Sequence, residues 1–290
     1  MSARLWTELT DRGVVAVKGP DATAFLQGLL SAEIEALEPG RVTLAALLSP
    51  QGKILFDGLV VRTENGFLID CRRSVAADFA KRLGFYKLRA KVEVRDLTED
   101  MAVVAVWAGE GVPAEGFEDP RSDALGHRLI LPRGKLASTA QSLGAQDVEL
   151  AAYHAHRIVQ GVPEGGLDYA YGDTFPHEAN MDRMGGVSFT KGCYVGQEVV
   201  SRMQHRGTAR TRTVKIILDD FSPEPGQPIL AGDKQVGSMG STAGKHGLAL
   251  IRTDRVSDAL AAGIPLTAGG LPIRIAEPDE LRPPPKQTVA

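Results

Sequence analysis

The run Lys191-Gly192-Cys193-Tyr194-Val195-Gly196-Gln197-Glu198 sets one cysteine between a lysine and two glycines, with a carboxylate five residues on. A thiol reacts as its thiolate; an adjacent ammonium favours that form, and nearby glycines leave it accessible. The chemistry on offer is that of a nucleophilic or redox thiol. The other reading of the same residues is a Gly-rich turn around an inert cysteine, a residue type that is often buried. Immediately downstream, residues 199–218 contain no acid but carry Arg202, Arg206, Arg210, Arg212 and Lys215, with His205 among them. Such a stretch attracts polyanions, and Arg pairs with carboxylates in bidentate fashion. Residues 210–215 alternate as an outward-facing strand would. Ligand contact is therefore expected of Arg202 and Arg206, and a solvated strand face of the other three.

Several standard chemistries find no residues here. Gly240-Ser241-Thr242-Ala243-Gly244-Lys245 is one residue short of a phosphate-cradling loop, and His246 follows where Ser or Thr would hold magnesium. G-x-G-x-x-G after a strand, H-E-x-x-H, C-x-x-C and G-x-S-x-G are all missing. His154 and His156 stand two apart on an expected helix and point to different faces, which argues against a shared metal. No metal site is expected. The two cysteines, Cys71 and Cys193, cannot hold a four-thiolate iron–sulfur cluster, and they suggest a reducing compartment rather than a disulfide framework. Cys71, among apolar strand residues, reads as core.

The elements that must position these residues are readable in part. The 290 residues suit about two domains, and 43% hydrophobic with 24% charged residues is ordinary for a globular protein. A net charge of -3 gives no basic excess for nucleic acid. Residues 1–17 lack the basic start and apolar core of a secretory leader, and no run approaches a membrane span; the expectation is a cytoplasmic protein without membrane contact. Residues 42–48 and 54–61 are apolar runs around Ser49-Pro50-Gln51-Gly52-Lys53, a hairpin signal. Strands are expected at 67–71, 91–94 and 101–107. A helix capped by Ser74 is expected to reach residue 83, another spans 136–143, and a third runs from an Asp147 cap to about residue 158. Residues 161–180 read as an extended irregular segment, of the kind that is often functional. Six short strands between 214 and 275 suggest a small β-barrel or sandwich. The expected class is α+β, with a boundary near 208: a first domain over 1–208, including an α+β subdomain at 42–145, and a β-barrel domain over 209–290. A frayed tail is expected around Pro283-Pro284-Pro285.

Read outward from Cys193, the chain gives a longer string. It contains Arg157-Ile158-Val159-Gln160-Gly161-Val162-Pro163, Pro176-His177-Glu178-Ala179-Asn180, then 185–198 through the cysteine run, and Arg202 with His205-Arg206-Gly207. This arrangement resembles the YgfZ-type folate-binding proteins, relatives of the glycine-cleavage aminomethyltransferase (T-protein). The resemblance is densest over 157–207. It implies a cloverleaf T-protein-like region around a central channel, with a small C-terminal barrel. It also implies tetrahydrofolate, including polyglutamylated forms, as the cofactor, and iron–sulfur client enzymes or assembly factors as partners.

Carried onto this sequence, the resemblance implies Glu178 as the folate-binding glutamate, with Asn180, Lys191, Glu198, Arg202 and Arg206 also on the cofactor. Cys193 is implied as the functional thiol, and Asp57 stands at the acidic position that the T-protein uses for folate and catalysis. Two positions depart from the T-protein: Cys193 replaces an aromatic residue, and Gly58 replaces a leucine. The expected function is a tetrahydrofolate-binding protein that assists assembly or repair of iron–sulfur clusters, with a monomer favoured. The alternatives are a folate-dependent aminomethyltransferase or other one-carbon transferase, and a non-catalytic folate-binding scaffold.

Overall fold

A computed structural model describes residues 3–109, 113, 116–207, 209–219 and 221–281. The chain forms two compact units, one from Met1–Leu48, Leu55–Tyr153 and Met184–Val195, the other from Ser49–Ile54, His154–Arg183 and Gly196–Ala290. Each unit is thus assembled from three separate stretches of chain.

Unit 1 contains β1 (Leu5–Glu8), β2 (Arg12–Lys18), α1 (Ala22–Leu29), β3 (Val42–Leu48), β4 (Ile54–Thr63), β5 (Gly66–Arg72), α2 (Arg73–Tyr86) and β6 (Glu93–Asp96). It continues with β7 (Met101–Trp107), β8 (Phe117–Glu118), β9 (His127–Pro132), α3 (Leu136–Leu143) and β10 (Gln146–Asp147). Two five-stranded sheets result, ordered β3-β4-β5-β2-β6 and β10-β1-β7-β9-β8.

Strand periodicity explains how they stack, since successive side chains point to opposite faces. Val15 and Val17 of β2 pack with Leu26 of α1 and Phe79 and Leu83 of α2, while Val14 packs with Val103, Ala105 and Trp107 of β7. The alternate β7 residues, Val104 and Val106, meet Leu129 and Leu131 of β9 and the α3 residues Leu136 and Ala140. Helices, sheet, sheet and helix therefore form four layers. Strands covered on both faces read as unbroken apolar runs, which is why 101–107 is continuous in the sequence.

Unit 2 takes the end of α4 (Leu150–Val159), then α5 (Gln197–Arg206), β11 (Thr211–Ile217), β12 (Pro228–Ala231), β13 (Lys234–Ala243), β14 (His246–Arg252), α6 (Thr253–Ala261), β15 (Leu266–Ala268) and β16 (Leu271–Ile275). The six strands close into a barrel in the order β11-β14-β13-β12-β15-β16. Pairing of Ile216 with Ile275 and Ile217 with Arg274 makes the closure. Closure removes the exposed edges of so short a set of strands. Ile216, Ile229, Val236, Ile251 and Ala268 fill the interior, joined by Val256 and Ala259 of α6. Among the described residues no helix is long and apolar enough to cross a membrane.

The α+β class and the barrel agree with the sequence reading. Two local expectations do not. Ser74 is not the cap of α2, which begins at Arg73 without any side-chain cap. Asp147 is not a cap either, because it pairs with Trp6 in β10 and α4 starts at Leu150. The near-miss phosphate loop at 240–245 is the end of β13 and its hairpin turn into β14. The proline tail expected to fray lies outside the described residues.

Candidate functional site

In unit 2, residues 161–183 form consecutive turns without helix or strand. Buried polar groups need partners, and here two arginines supply them. Arg157 of α4 is 1% exposed; its Nη1 donates to Asp168 Oδ2 at 2.7 Å and to the Val162 carbonyl at 3.1 Å, while Nη2 donates to Ser241 Oγ at 3.0 Å. Asp168 also accepts from the backbone N–H groups of Glu164 and Ser241 at 2.8 and 2.7 Å. His154 accepts from Arg157 Nε at 3.0 Å.

Arg212 of β11, expected on an outward face, is instead 2% exposed. It grips Asp182 through two nitrogens at 2.6 and 2.8 Å and donates to the His177 carbonyl at 2.8 Å. The alternation argument fails at this position because its partners come from a segment with no periodicity of its own.

This frame holds Glu178 and Asn180. The Glu178 carbonyl accepts from both the backbone N–H and the hydroxyl of Thr213, and Asn180 Nδ2 donates to the Thr213 carbonyl at 2.7 Å. Asn180 has φ 56°, a left-handed conformation that Asn tolerates better than most residues. Its Oδ1 is buried and has no hydrogen-bond partner. The Glu178 carboxylate accepts from the Phe175 N–H at 2.8 Å. Burial raises its pKa, and the Phe175 bond and the Lys53 charge oppose that rise.

Lys53 lies with its ammonium 3.5 Å from the Phe175 ring centroid and donates to the Asp173 carbonyl. The Ile54 N–H donates to the Thr174 carbonyl at 2.9 Å, tying the 49–54 turn to this loop. Gly52 in that turn has φ +80°, and a Cβ there would meet Val199 Cβ at 3.1 Å. His177 is fully buried and shares a 3.0 Å hydrogen bond with Gln204 Oε1. Burial pushes its pKa down, with Asp182 opposing, so the neutral imidazole is favoured. The sequence marks Lys53 only as a hairpin-turn residue, Arg212 only as a solvated strand cation, His177 only through the string Pro176-His177-Glu178-Ala179-Asn180, and Asp182 not at all.

Unit 1 carries Cys193, which is exposed. The expectation of a buried cysteine in the alternative reading of the motif does not hold. The loop 184–196 is fastened to the end of α1. Ser31 Oγ donates to the Gly186 carbonyl at 2.6 Å, and the Ser188 N–H donates to the Ser31 carbonyl at 2.8 Å. Lys191 Nζ donates to the Leu30 and Ala32 carbonyls at 2.9 and 2.7 Å. Its ammonium is thus a clamp on the loop, 5.2 Å from the Tyr194 ring centroid, and not a free charge at the thiol. Burial lowers the Lys191 pKa to about 8, with the Glu33 charge opposing.

Tyr194 beside the cysteine is 6% exposed, its hydroxyl has no hydrogen-bond partner, and burial raises its pKa to about 12. A buried tyrosine on one side and exposed Gly192 on the other present the thiol on a fixed loop.

Asp57 is half-buried on β4. The second thiol, Cys71, is core: burial pushes its pKa up to about 12, Arg12 opposes, and Asp70, Asp57 and Asp96 add to the rise. Next to Asp57, Gly58 has no room for a side chain, since a Cβ would stand 2.6 Å from the Asp70 carbonyl oxygen. The expected basic ligand contacts fare differently. Arg202 pairs with Glu198 one turn away on α5, both exposed, and Arg206 is exposed at the end of that helix.

Comparison with known proteins places this arrangement. Residues 6–110 match the model of the GCVT N-terminal domain, and residues 210–283 that of the CAF17 C-terminal β-barrel domain. The crystal structure of glycine cleavage system aminomethyltransferase T from Bartonella henselae superposes with a TM-score of 0.76 at 18% identity, over 96% of this chain and 86% of that one. The fold is therefore that of the aminomethyltransferase class. The iron–sulfur cluster assembly factor IBA57, mitochondrial, of Homo sapiens is 35% identical, over 87% of this chain and 78% of its own. The Mus musculus protein is 34% identical, over 88% and 80%, and the Coccidioides immitis homolog 31%, over 88% and 73%.

The chain belongs to the IBA57 family of iron–sulfur cluster assembly factors. The relatives carry that name and not YgfZ, so the resemblance read from the motif holds at the level of the fold class and the cluster-assembly group. The cytoplasmic expectation is corrected: these relatives are named as mitochondrial proteins. That expectation rested on residues 1–17, and a targeting segment is a processed feature on which the fold makes no demand.

Proposed function

We propose that this protein assists the maturation of iron–sulfur clusters in client proteins, and that it does so as a tetrahydrofolate-binding protein of the YgfZ kind with Cys193 as its working thiol. The cluster role is supported by the relatives' names. Folate binding is supported by one observation above others, the buried and partnerless Oδ1 of Asn180, two residues along the same loop from Glu178. A reduced pterin presents ring N–H donors, and a carboxylate and an amide oxygen on one loop are the acceptor types that match them. An unpartnered buried acceptor costs about 1–3 kcal/mol, which a donor from a ligand would recover. Bound tetrahydrofolate would supply a one-carbon acceptor or a reduced pterin. The residues of the chain bind and orient it: Arg212 and Asp182 hold the loop, and Glu178 and Asn180 accept.

Cys193 is the exposed thiol of the chain's two cysteines, and its partners in this reading are client enzymes or other assembly factors. A transferase reading draws less support, because Gly58 and Cys193 stand where the T-protein pattern has other residues.

Restoration of cluster-enzyme activity in a strain lacking the protein tests the proposal. Wild type is expected to restore activity and Cys193→Ser to fail at equal protein level; equal restoration by the variant would remove Cys193 from the function.

A further inference from the structure

The end of α2 and the turn after it carry a surface that neither the fold nor the proposed site uses. Phe85 is 66% exposed and Leu88 90% exposed, the two most exposed large hydrophobic side chains described. Phe85 lies in the last turn of α2, which ends at Tyr86, and Leu88 stands two residues beyond it, after a turn closed by the Lys87 N–H to Gly84 carbonyl bond at 3.3 Å. Leu88 has φ 41°, a left-handed conformation uncommon for a residue other than Gly, Asn or Asp. The other face of α2, through Ala76, Phe79 and Leu83, is already buried in the core.

Between residues 81 and 91 there are five cations and no acid: Lys81, Arg82, Lys87, Arg89 and Lys91. All five are exposed. Cations at a helix C-terminus stabilise its dipole, which accounts for their sign near residue 86 but not for the apolar side chains among them. Two apolar anchors inside a charged rim is the anatomy of a protein interface, and aromatic residues and Arg are enriched in such interfaces.

We propose that this tip is a docking surface for an acidic face of a partner protein, which under the function proposed above is a cluster-receiving or cluster-carrying protein. The inference rests on that reading. Charge complementarity selects the occupant: exposed Lys87 and Arg89, which flank Leu88, meet acids at contact range, within a Debye length of about 8 Å. A membrane fits less well. Only two large apolar side chains are offered for insertion, at a helix end and its following turn and not along an apolar helix face.

The test uses the full chain in a strain lacking the protein, with cluster-enzyme activity as readout. Two double variants, K87E/R89E and F85S/L88S, are compared with a K234E/R255E control on the barrel. Each tip variant is expected to lose about tenfold or more of the restored activity, at unchanged soluble level and melting temperature, while the control restores as wild type does; tenfold corresponds to about 1.4 kcal/mol of binding. Wild-type restoration by both tip variants would overturn the proposal.

Two other outcomes would also overturn it, by naming a different occupant. One is wild-type binding to phosphatidylcholine vesicles containing phosphatidylserine that the tip substitutions abolish. The other is a dimer by light scattering that they dissociate. Failure of wild type itself to restore activity would instead remove the functional reading, and this inference with it.

Discussion

Both units bury arginines, and they do so to different ends. In unit 1, Asp70 of β5 accepts from Arg12 Nε at 2.6 Å and from Arg128 of β9 at 2.5 Å. Arg128 also reaches Asp119 at 3.0 Å, and Arg121 holds the same carboxylate at 2.7 Å. Tyr153 accepts from Arg128 and Arg121 at 2.5 and 3.2 Å. Burial opposes ionisation of Asp119, but Arg121 and Arg128 outweigh it and hold its pKa well below the usual carboxylate range. This network links strands of the two sheets, so it ties regular elements to one another. In unit 2, Arg157 and Arg212 tie regular elements to an irregular loop, and that loop carries the proposed ligand residues. The same ionic chemistry makes a scaffold in one place and presents a site in the other.

That contrast can be broken by mutation. Asp70→Ala strips the acceptor from two buried guanidinium groups, and removing one partner of a buried pair costs about 3–5 kcal/mol. Chemical denaturation should register a loss of that size; a loss below about 1 kcal/mol would mean that the network is no scaffold. In unit 2, Arg212→Lys keeps the charge but gives up the two-nitrogen grip on Asp182. It is expected to cost about 1.5–3 kcal/mol of stability and, unlike Asp70→Ala, to weaken tetrahydrofolate binding to the folded protein by about tenfold. Stability loss with unchanged affinity would make Arg212 a purely structural residue.

Much of the scaffold could be read from sequence, and less of the site. The run 101–107 matches β7 residue for residue, because a strand covered on both faces leaves no polar interruption. The barrel strands were marked by the Gly, Pro and Asp residues between them. Strands β1 and β2 were not marked: Thr7, Glu8 and Arg12 interrupt their apolar runs, and two of these, Thr7 and Arg12, are nonetheless buried. Helix α5 has only Val200 fully buried, so it shows little apolar pattern. Arg212 was misread for a different reason. Its partner Asp182 lies thirty residues back in a segment without periodicity, and no local pattern encodes that pairing. Sequence adjacency likewise put the Lys191 charge at Cys193, whereas the folded chain directs it to the carbonyls of Leu30 and Ala32.

Two pH dependences sharpen the contrast further. If the Glu178 carboxylate accepts pterin N–H groups, protonating it removes that acceptor. Because its pKa is raised, tetrahydrofolate affinity should fall on the acid side of neutrality, and Glu178→Gln should flatten the profile. In unit 1, Lys191 has a depressed pKa of about 8 against 10.5 ordinarily. Below about 8 both folded and unfolded chains hold the proton; between about 8 and 10.5 the unfolded chain binds more, so stability should rise with pH across that window. The group is about half-buried, so the slope should be small; Lys191→Met is expected to remove it in denaturation series at several pH values.

Calorimetric titration with tetrahydrofolate, comparing wild type with Glu178→Ala and Asn180→Ala, bears most directly on the proposed site. Saturable binding by wild type, weakened about tenfold or more by each substitution, is the predicted result, that factor corresponding to about 1.4 kcal/mol. Absence of binding by wild type, or equal affinity in all three proteins, would contradict the assignment of the 161–183 loop as a folate site.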